Sequence, residues 1–288
     1  MARQSIFFRD NPALADKPCL IRKGDGGYLY ATTDLATIEY RIERWHPDQI
    51  WYVVGAPQQL HFDQVFAAAR RMGIGAGLRF IPFGSILGED RKLMKTRSGE
   101  NVSLKSLLAE AEERALALVA QKNPELPEAE KRDVARAVGI GAVKYADLSQ
   151  ARMTDYVFSW ERMLSFQGNT VPYLQNAYVR VQSIFRKLEG EWKGADALAL
   201  VEPAELTLAR KLVQFAEIVP QVLDDFRPNI LSNYLFELAN TFHGFYEACP
   251  VLKAEEPARS TRLALCDLTG RILRKGLELL GIRAPERM

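Results

Sequence analysis

The sequence predicts two layers in series: an α/β layer with a short parallel sheet, then an all-α helix bundle. Three observations predict this. Over the first hundred residues, apolar runs of strand length alternate with stretches of helical periodicity. From Val102 onward the apolar spacing is helical almost without interruption. The length, 288 residues, holds two ordinary domains at roughly 100–200 residues each.

Taken in order, Tyr28–Thr32 is aromatic and β-prone and follows the turn signal Gly24-Asp25-Gly26-Gly27, so it reads as a strand. From Asp34 to Trp45, apolar residues at Leu35, Ile38, Ile42 and Trp45 recur at helical spacing, and His46-Pro47 stops the helix. The continuous apolar run Ile50–Val54 predicts a strand buried on both faces. Asp63–Met72 reads as a helix ended by Gly73, and Leu78–Pro82 as a further strand. This alternation requires a parallel sheet of about three strands, where an open doubly wound sheet usually has five or six. Helices are then expected over 103–121, 127–148, 156–166, 172–189, 203–226, 228–248 and 257–281. The expected domains are 1–102 for the α/β layer, 103–168 for connecting helices and 169–288 for the bundle.

Composition narrows the classes. A hydrophobic fraction of 48% with 26% charged residues excludes a disordered or collagen-like chain. No uninterrupted apolar stretch reaches the roughly 18 residues a membrane span needs, and the amino-terminal MARQSIFFRDNP lacks the apolar run of a signal peptide. A cytoplasmic protein with no membrane partner is therefore expected. Cys19, Cys249 and Cys266 stand far apart, as do His46, His61 and His243, which argues against a disulfide framework and against any protein-bound metal. Lys+Arg 38 against Asp+Glu 36 neither demands nor forbids a nucleic acid. Charges also balance within 169–288, so an RNA surface there must come from segregation of charge onto one face.

The glycine run Gly73-Ile74-Gly75-Ala76-Gly77 follows a helix and precedes a strand, the reverse of a dinucleotide fingerprint. Gly139 and Gly141 lie within a helical pattern and predict close helix packing. Tyr30 and Asp34 are four apart at a strand-to-helix junction, where open α/β sheets bind ligands. Asp34, with Thr33, either caps the helix, or joins Tyr30 in facing a cation such as a guanidinium, whose donor fork fits a carboxylate. Gln58 and His61 follow the strand at 50–54; they read either as a plain loop with a helix cap, or as contacts to a small ligand and to a phosphate or ribose. Between 91 and 106, Arg91, Lys92, Lys95, Arg97 and Lys105 face one acidic residue, Glu100. Such a loop suits a nucleoside triphosphate or is a solvated charge run; it lacks the Walker A order. In the bundle, Tyr173, Tyr178, Tyr234, Phe242 and Tyr246 are either core or platforms for unpaired bases.

These segments together resemble the second half of the catalytic domain of arginyl-tRNA synthetase, a class I enzyme. The resemblance rests on YLYATTDLA at 28–36, Gln58-x-x-His61-Phe62, LGEDRKLMKTRSG at 87–99, GIGAVKYADL at 139–148, WERMLSFQGN at 160–169 and PYLQNAYVRVQSIFR at 172–186. It reaches the closing Pro285-Glu286-Arg287-Met288. It implies a partial Rossmann-type sheet followed by an anticodon-binding helix bundle. It further implies that Tyr30, Asp34 and Gln58 hold substrate arginine. Lys92, Lys95 and Arg97 are then the catalytic contacts to the ATP phosphates, with His61, Met94 and Thr96 also at ATP. Tyr178, Arg180, Tyr246 and Met288 approach tRNA(Arg). ATP with Mg2+ enters as substrate.

The departure from the family is large. Its His-x-Gly-His motif, which cradles ATP, is absent, because the histidines stand at 46, 61 and 243. Positioning of this kind lowers a barrier by some 7–11 kcal/mol, so the chain alone is expected not to aminoacylate. Three readings follow: a truncated synthetase that still binds tRNA and arginine, one subunit of a split ligase completed by a separate chain, or a non-catalytic RNA-binding module.

Overall fold

In the computed structural model, which describes residues 3–88, 90–92, 103–195 and 197–288, a pair of parallel strands organises the first of two units. The units are Met1–Ser85 and Ile86–Met288. The first begins with β1 (Gln4–Ile6) antiparallel to β2 (Cys19–Arg22). Then come α1 (Tyr30–Trp45), β3 (Gln49–Gly55), a 3-10 turn at Ala56–Gln58, α2 (Gln59–Arg71) and β4 (Gly77–Phe83). β3 and β4 pair in parallel, Gln49 opposite Gly77 through Gly55 opposite Phe83. α1 ends at His46, whose left-handed backbone (φ 45) precedes Pro47. Gly73 (φ 83) follows the end of α2.

The core of this unit joins Leu35 and Ile38 of α1 to Phe62, Val65 and Phe66 of α2 and Ile50 of β3. Phe62 lies 4.9 Å from the Tyr52 ring and stacks at 5.6 Å on Phe80, tying α2 to both strands. Such ring pairs add roughly 0.5–1.5 kcal/mol each beyond the area they bury.

Three expectations are corrected here. The segment Tyr28–Thr32 is not a strand: Tyr28 forms one bridge to Arg22, and the helix begins at Tyr30. Ala31 is buried with Leu35 and Ile38, so the helical apolar stripe starts three residues before Asp34 and overrides the local β propensity. The Thr32 hydroxyl donates to the Ile21 carbonyl at 2.6 Å, pinning that first turn to β2. Among the described residues the parallel sheet of this unit therefore has two strands, not three. Nor is β3 buried on both faces: Ile50 is buried, whereas Trp51 and Val53 keep 50% and 62% of their exposure.

The second unit contains α3 (Leu104–Lys122), α4 (Glu128–Leu148), α5 (Trp160–Met163), α6 (Val171–Arg186), α7 (Pro203–Val213), α8 (Phe215–Asp225), α9 (Pro228–Ala248) and α10 (Ala258–Leu279). A short parallel pair joins β5 (Ile86–Leu87) to β6 (Tyr156–Val157). The helix expected over 156–166 is replaced by β6 and the single turn α5. The β-prone Tyr156-Val157 pairs with β5, and extended Ser159 then caps α5 through the Arg162 amide. The helix expected over 203–226 is broken at Gln214. The Tyr234 hydroxyl donates to the Lys211 carbonyl at 2.8 Å, the acceptor that an unbroken helix would offer Phe215. Pro220 removes a further donor within α8.

Helices α3 and α4 approach closely where glycine permits it. A Cβ on Gly139 would stand 2.4 Å from the Ala111 carbonyl oxygen and 2.6 Å from its carbon, so the packing expected of this glycine is found. The bundle core gathers Leu174 and Val181 of α6, Leu208 of α7, Leu235, Leu238 and Phe242 of α9, and Leu273 and Leu277 of α10. Glu205, 1% exposed, receives the Arg262 guanidinium at 2.7 Å and the Val201 and Glu202 amides. Burial alone would raise its carboxyl, but these bonds and the Arg262 charge hold it below its usual range.

Residues 281–288 tie back onto earlier helices. The Gln175 amide donates to the Arg283 carbonyl at 2.8 Å, Lys144 to the Gly281 carbonyl, and Arg186 to the Glu286 carbonyl. Arg283 pairs with Asp133 at 2.8 Å, and Met288 packs on the α3–α4 cluster. Between α6 and α9, the Tyr173 hydroxyl donates to Asn240 and accepts from His243 Nδ1. The Nε2 atom of His243 is buried without a partner among the described residues.

Two outcomes are expected. Gly139→Ala forces α3 and α4 apart and should cost about 1–3 kcal/mol or more in urea unfolding, a loss that Gly75→Ala, where a Cβ meets nothing within 4 Å, should not show. His243 is held below its ordinary 6.5 chiefly by burial and then by the Arg180 charge, with Glu247 opposing. The unfolded chain therefore takes up this proton first as the solution is acidified. Stability should fall from about pH 7 through 6.5 toward the depressed native value, and His243→Asn should flatten that slope.

Candidate substrate-binding site

A parallel strand has a carboxyl end at which the following chain must turn away from the sheet. β3 ends at Gly55, and α1 before it and α2 after it run back along the sheet. The amino-terminal turns of both helices therefore gather at that end. Asp34 opens the second turn of α1, and His61 lies in the first turn of α2. They meet: His61 Nε2 is 2.6 Å from Asp34 Oδ2, with the two side chains 30% and 33% exposed. A carboxylate only accepts hydrogen bonds, so the ring nitrogen donates.

Neither residue is a cap. The α1 cap position is Leu29, and the Thr33 hydroxyl is spent on the Tyr30 carbonyl. The α2 cap position is Gln58, without a side-chain capping bond. Both capping alternatives raised by the sequence are thereby set aside. Tyr30 is the first residue of α1, 84% exposed, and one turn from Asp34 on the same helix face. Gln58 is exposed at the end of the 3-10 turn, three residues before His61. A carboxylate, a phenol and a carboxamide at one strand end suit a small cation with several N–H donors. The Asp34–His61 pair joins residues 27 apart, and neither periodicity nor local motif announces that contact.

Deeper under this site, the Tyr52 hydroxyl accepts from Arg41 at 3.2 Å. Burial raises its pKa, against the pull of Arg41 and with the Asp34 charge adding to the rise.

In the second unit, Lys92 lies in an exposed turn after β5, where Gly88 N–H donates to the Lys92 carbonyl at 2.8 Å. Met94, Lys95, Thr96 and Arg97 lie outside the described residues. Of the residues expected at RNA, Tyr178 is 3% exposed in the bundle core, its pKa raised by burial against the nearby Arg274. The Arg180 guanidinium sits 5.1 Å over the Tyr246 ring, which is 40% exposed, so α6 and α9 present one cation–π plate at the surface. Met288 is half-buried against the α3–α4 cluster. Among the described residues no helix is long and apolar enough to cross a membrane.

Comparison with known proteins divides the chain at a different place, within the second unit. Residues 7–160 match the family model for the catalytic domain of class I tRNA synthetases of the arginine type, and residues 174–288 match the DALR anticodon-binding domain. The chain is 54% identical over 277 residues to an arginine–tRNA ligase of Thermobifida fusca, covering 94% of this chain and 48% of that protein. It is 48% identical over 290 residues to that of Chromobacterium violaceum, covering 99% and 50%. Its fold superposes on Thermus thermophilus arginyl-tRNA synthetase with a TM-score of 0.87 at 30% identity, covering 99% of this chain and 54% of that one. The chain thus spans about half the length of the curated relatives it matches. With a parallel α/β layer, a DALR helix bundle and these relatives along nearly its whole length, the chain belongs to the arginyl-tRNA synthetase family.

Proposed function

We propose that this chain recognises arginine and tRNA(Arg), and that residues 1–288 alone do not complete aminoacylation. The observation that carries the reading is the Asp34 carboxylate, presented at the carboxyl end of β3 with one oxygen engaged and Tyr30 one turn away. A guanidinium matches it in charge and in its fork of donors. In this reading Tyr30, Asp34 and Gln58 hold the arginine side chain. Lys92, Lys95 and Arg97, with Met94 and Thr96, face the phosphates of ATP, which arrives with Mg2+. The loop cations would follow charge as it develops on the phosphates.

The functional division runs 1–102 for the partial catalytic layer, 103–168 for connecting helices and 169–288 for tRNA. Arg180 and Tyr246 form the most accessible part of the tRNA surface, with Tyr178 and Met288 supporting it from the packed side. We place the protein in the cytoplasm, where charged tRNA is used. The absent His-x-Gly-His sequence supports incompleteness, since half of the nucleotide cradle has no counterpart among the residues. The two-stranded parallel sheet also favours a second reading, a split ligase in which a separate chain supplies the rest.

Titration calorimetry should show arginine binding that Asp34→Ala weakens at least about 10-fold, while ATP–pyrophosphate exchange with arginine stays at background. Robust exchange by the purified chain would overturn incompleteness. Exchange restored by co-expressing a His-x-Gly-His half would establish the split ligase. The logarithm of affinity for tRNA(Arg) should fall linearly with log salt, losing per tenfold rise in salt about 0.9 log units for each phosphate contact in duplex regions and about 0.7 where the RNA is single-stranded. Absent or salt-insensitive binding would remove RNA from the reading.

A further inference from the structure

Its place after the strand at 50–54 offers His61 to a phosphate or ribose of ATP, yet its imidazole is engaged elsewhere. Nε2 donates to Asp34 Oδ2 at 2.6 Å across two helices. We propose that His61 is a positioning residue for the amino acid site: it holds one oxygen of Asp34 so that the plane and the second oxygen of the carboxylate are set for a guanidinium. This rests on the arginine reading above.

Four observations carry it. Oδ1 of Asp34 accepts no hydrogen bond among the described residues, so the clamp leaves one oxygen unspent. Each carboxylate oxygen has two lone pairs, so even Oδ2 retains capacity for a second donor. The imidazole is itself fixed: it meets the Phe62 ring edge-on at 5.0 Å, and Phe62 is 5% exposed within the stack with Tyr52 and Phe80. Finally, the pair is about one-third exposed, and a polar contact so open to water adds little to stability. A contact this short with little stabilising value is better explained by what it orients.

The consequence is discrimination between cations. Lysine's ammonium is a compact charge that a freely rotating carboxylate can follow, whereas a guanidinium needs both donors of its fork aligned with a fixed carboxylate plane. Orienting Asp34 in advance removes a rotational cost from arginine binding and gives the ammonium no matching gain.

The test compares wild type, His61→Phe, His61→Gln and Asp34→Ala as full chains, each checked for native helix content and melting temperature. Calorimetry with arginine, lysine and ATP–Mg2+ is the readout. His61→Phe, which keeps a flat ring and loses the donor, should weaken arginine about 10- to 100-fold. It should also narrow the arginine-over-lysine preference and leave ATP unchanged. His61→Gln, whose amide nitrogen reaches as far, should recover most of the arginine affinity. If His61→Phe binds arginine as wild type does, or loses ATP in its place, the proposal is overturned. If Asp34→Ala binds arginine normally, or wild type binds none, the arginine reading itself falls. If Asp34→Ala alone is defective, only the positioning role falls.

Discussion

Two parallel strands can be joined only by a chain that recrosses the sheet, and the candidate site depends on that constraint. β3 and β4 are parallel, so α2 between them must run backwards along the sheet and begin where β3 ends. The helix before β3 obeys the same geometry, turned by the left-handed His46 and by Pro47. Two amino-terminal helix turns are therefore brought to one place, and residues distant in sequence meet there. The aromatic stack of Phe62, Tyr52 and Phe80 holds α2 at a fixed height over both strands. A pair one-third exposed, such as Asp34 and His61, then inherits its geometry from packing it does not itself provide.

The helical unit uses a different device to fix its elements. Several polar groups inside it bond to partners on other helices or on segments far along the chain. The single proton of the Tyr145 hydroxyl is shared between Asn169 Oδ1 and the Ser232 carbonyl, Glu205 takes Arg262, and Tyr234 reaches the Lys211 carbonyl. Each such bond constrains the register of one helix along another, because a shift of one turn would leave a buried group unpaired. Apolar side chains such as Leu235 or Leu273 supply most of the driving force but tolerate sliding more readily. Burial also quiets chemistry: Cys266 is fully covered and its thiol is pushed up to about 12, which keeps it protonated and inert.

What the sequence displayed was what periodicity displays. α4, α6, α9 and α10 follow unbroken apolar stripes and were legible to within a few residues, as were β3 and β4. The misreadings share one cause, a distant partner outweighing a local signal. Tyr28–Thr32 has strand chemistry, but the buried stripe of Ala31, Leu35 and Ile38 claims it for a helix. Tyr156-Val157 sits in an apparently helical stretch, but β5 lies 70 residues earlier in the pairing Ile86–Tyr156 and takes it as a strand. The run at 203–226 breaks at Gln214, where a hydroxyl from α9 bonds the Lys211 carbonyl. At the site, Tyr30, Asp34 and Gln58 were visible as residue types at a strand end. The bond from His61 to Asp34 was not visible, since it depends on the packing of two helices.

The ties made by residues 281–288 have a consequence for the order of synthesis. The Arg283 bond to Asp133 spans 150 positions, and Gln175 waits 108 positions for the Arg283 carbonyl. Helices α4 and α6 emerge from the ribosome well before their clamp has been translated. At about 5–20 residues per second, α4 stands without its Arg283 partner for roughly 8 to 30 seconds. A nascent chain in that interval has most of its helices and lacks its long-range closure, so its final compaction must follow, rather than accompany, the translation of the bundle.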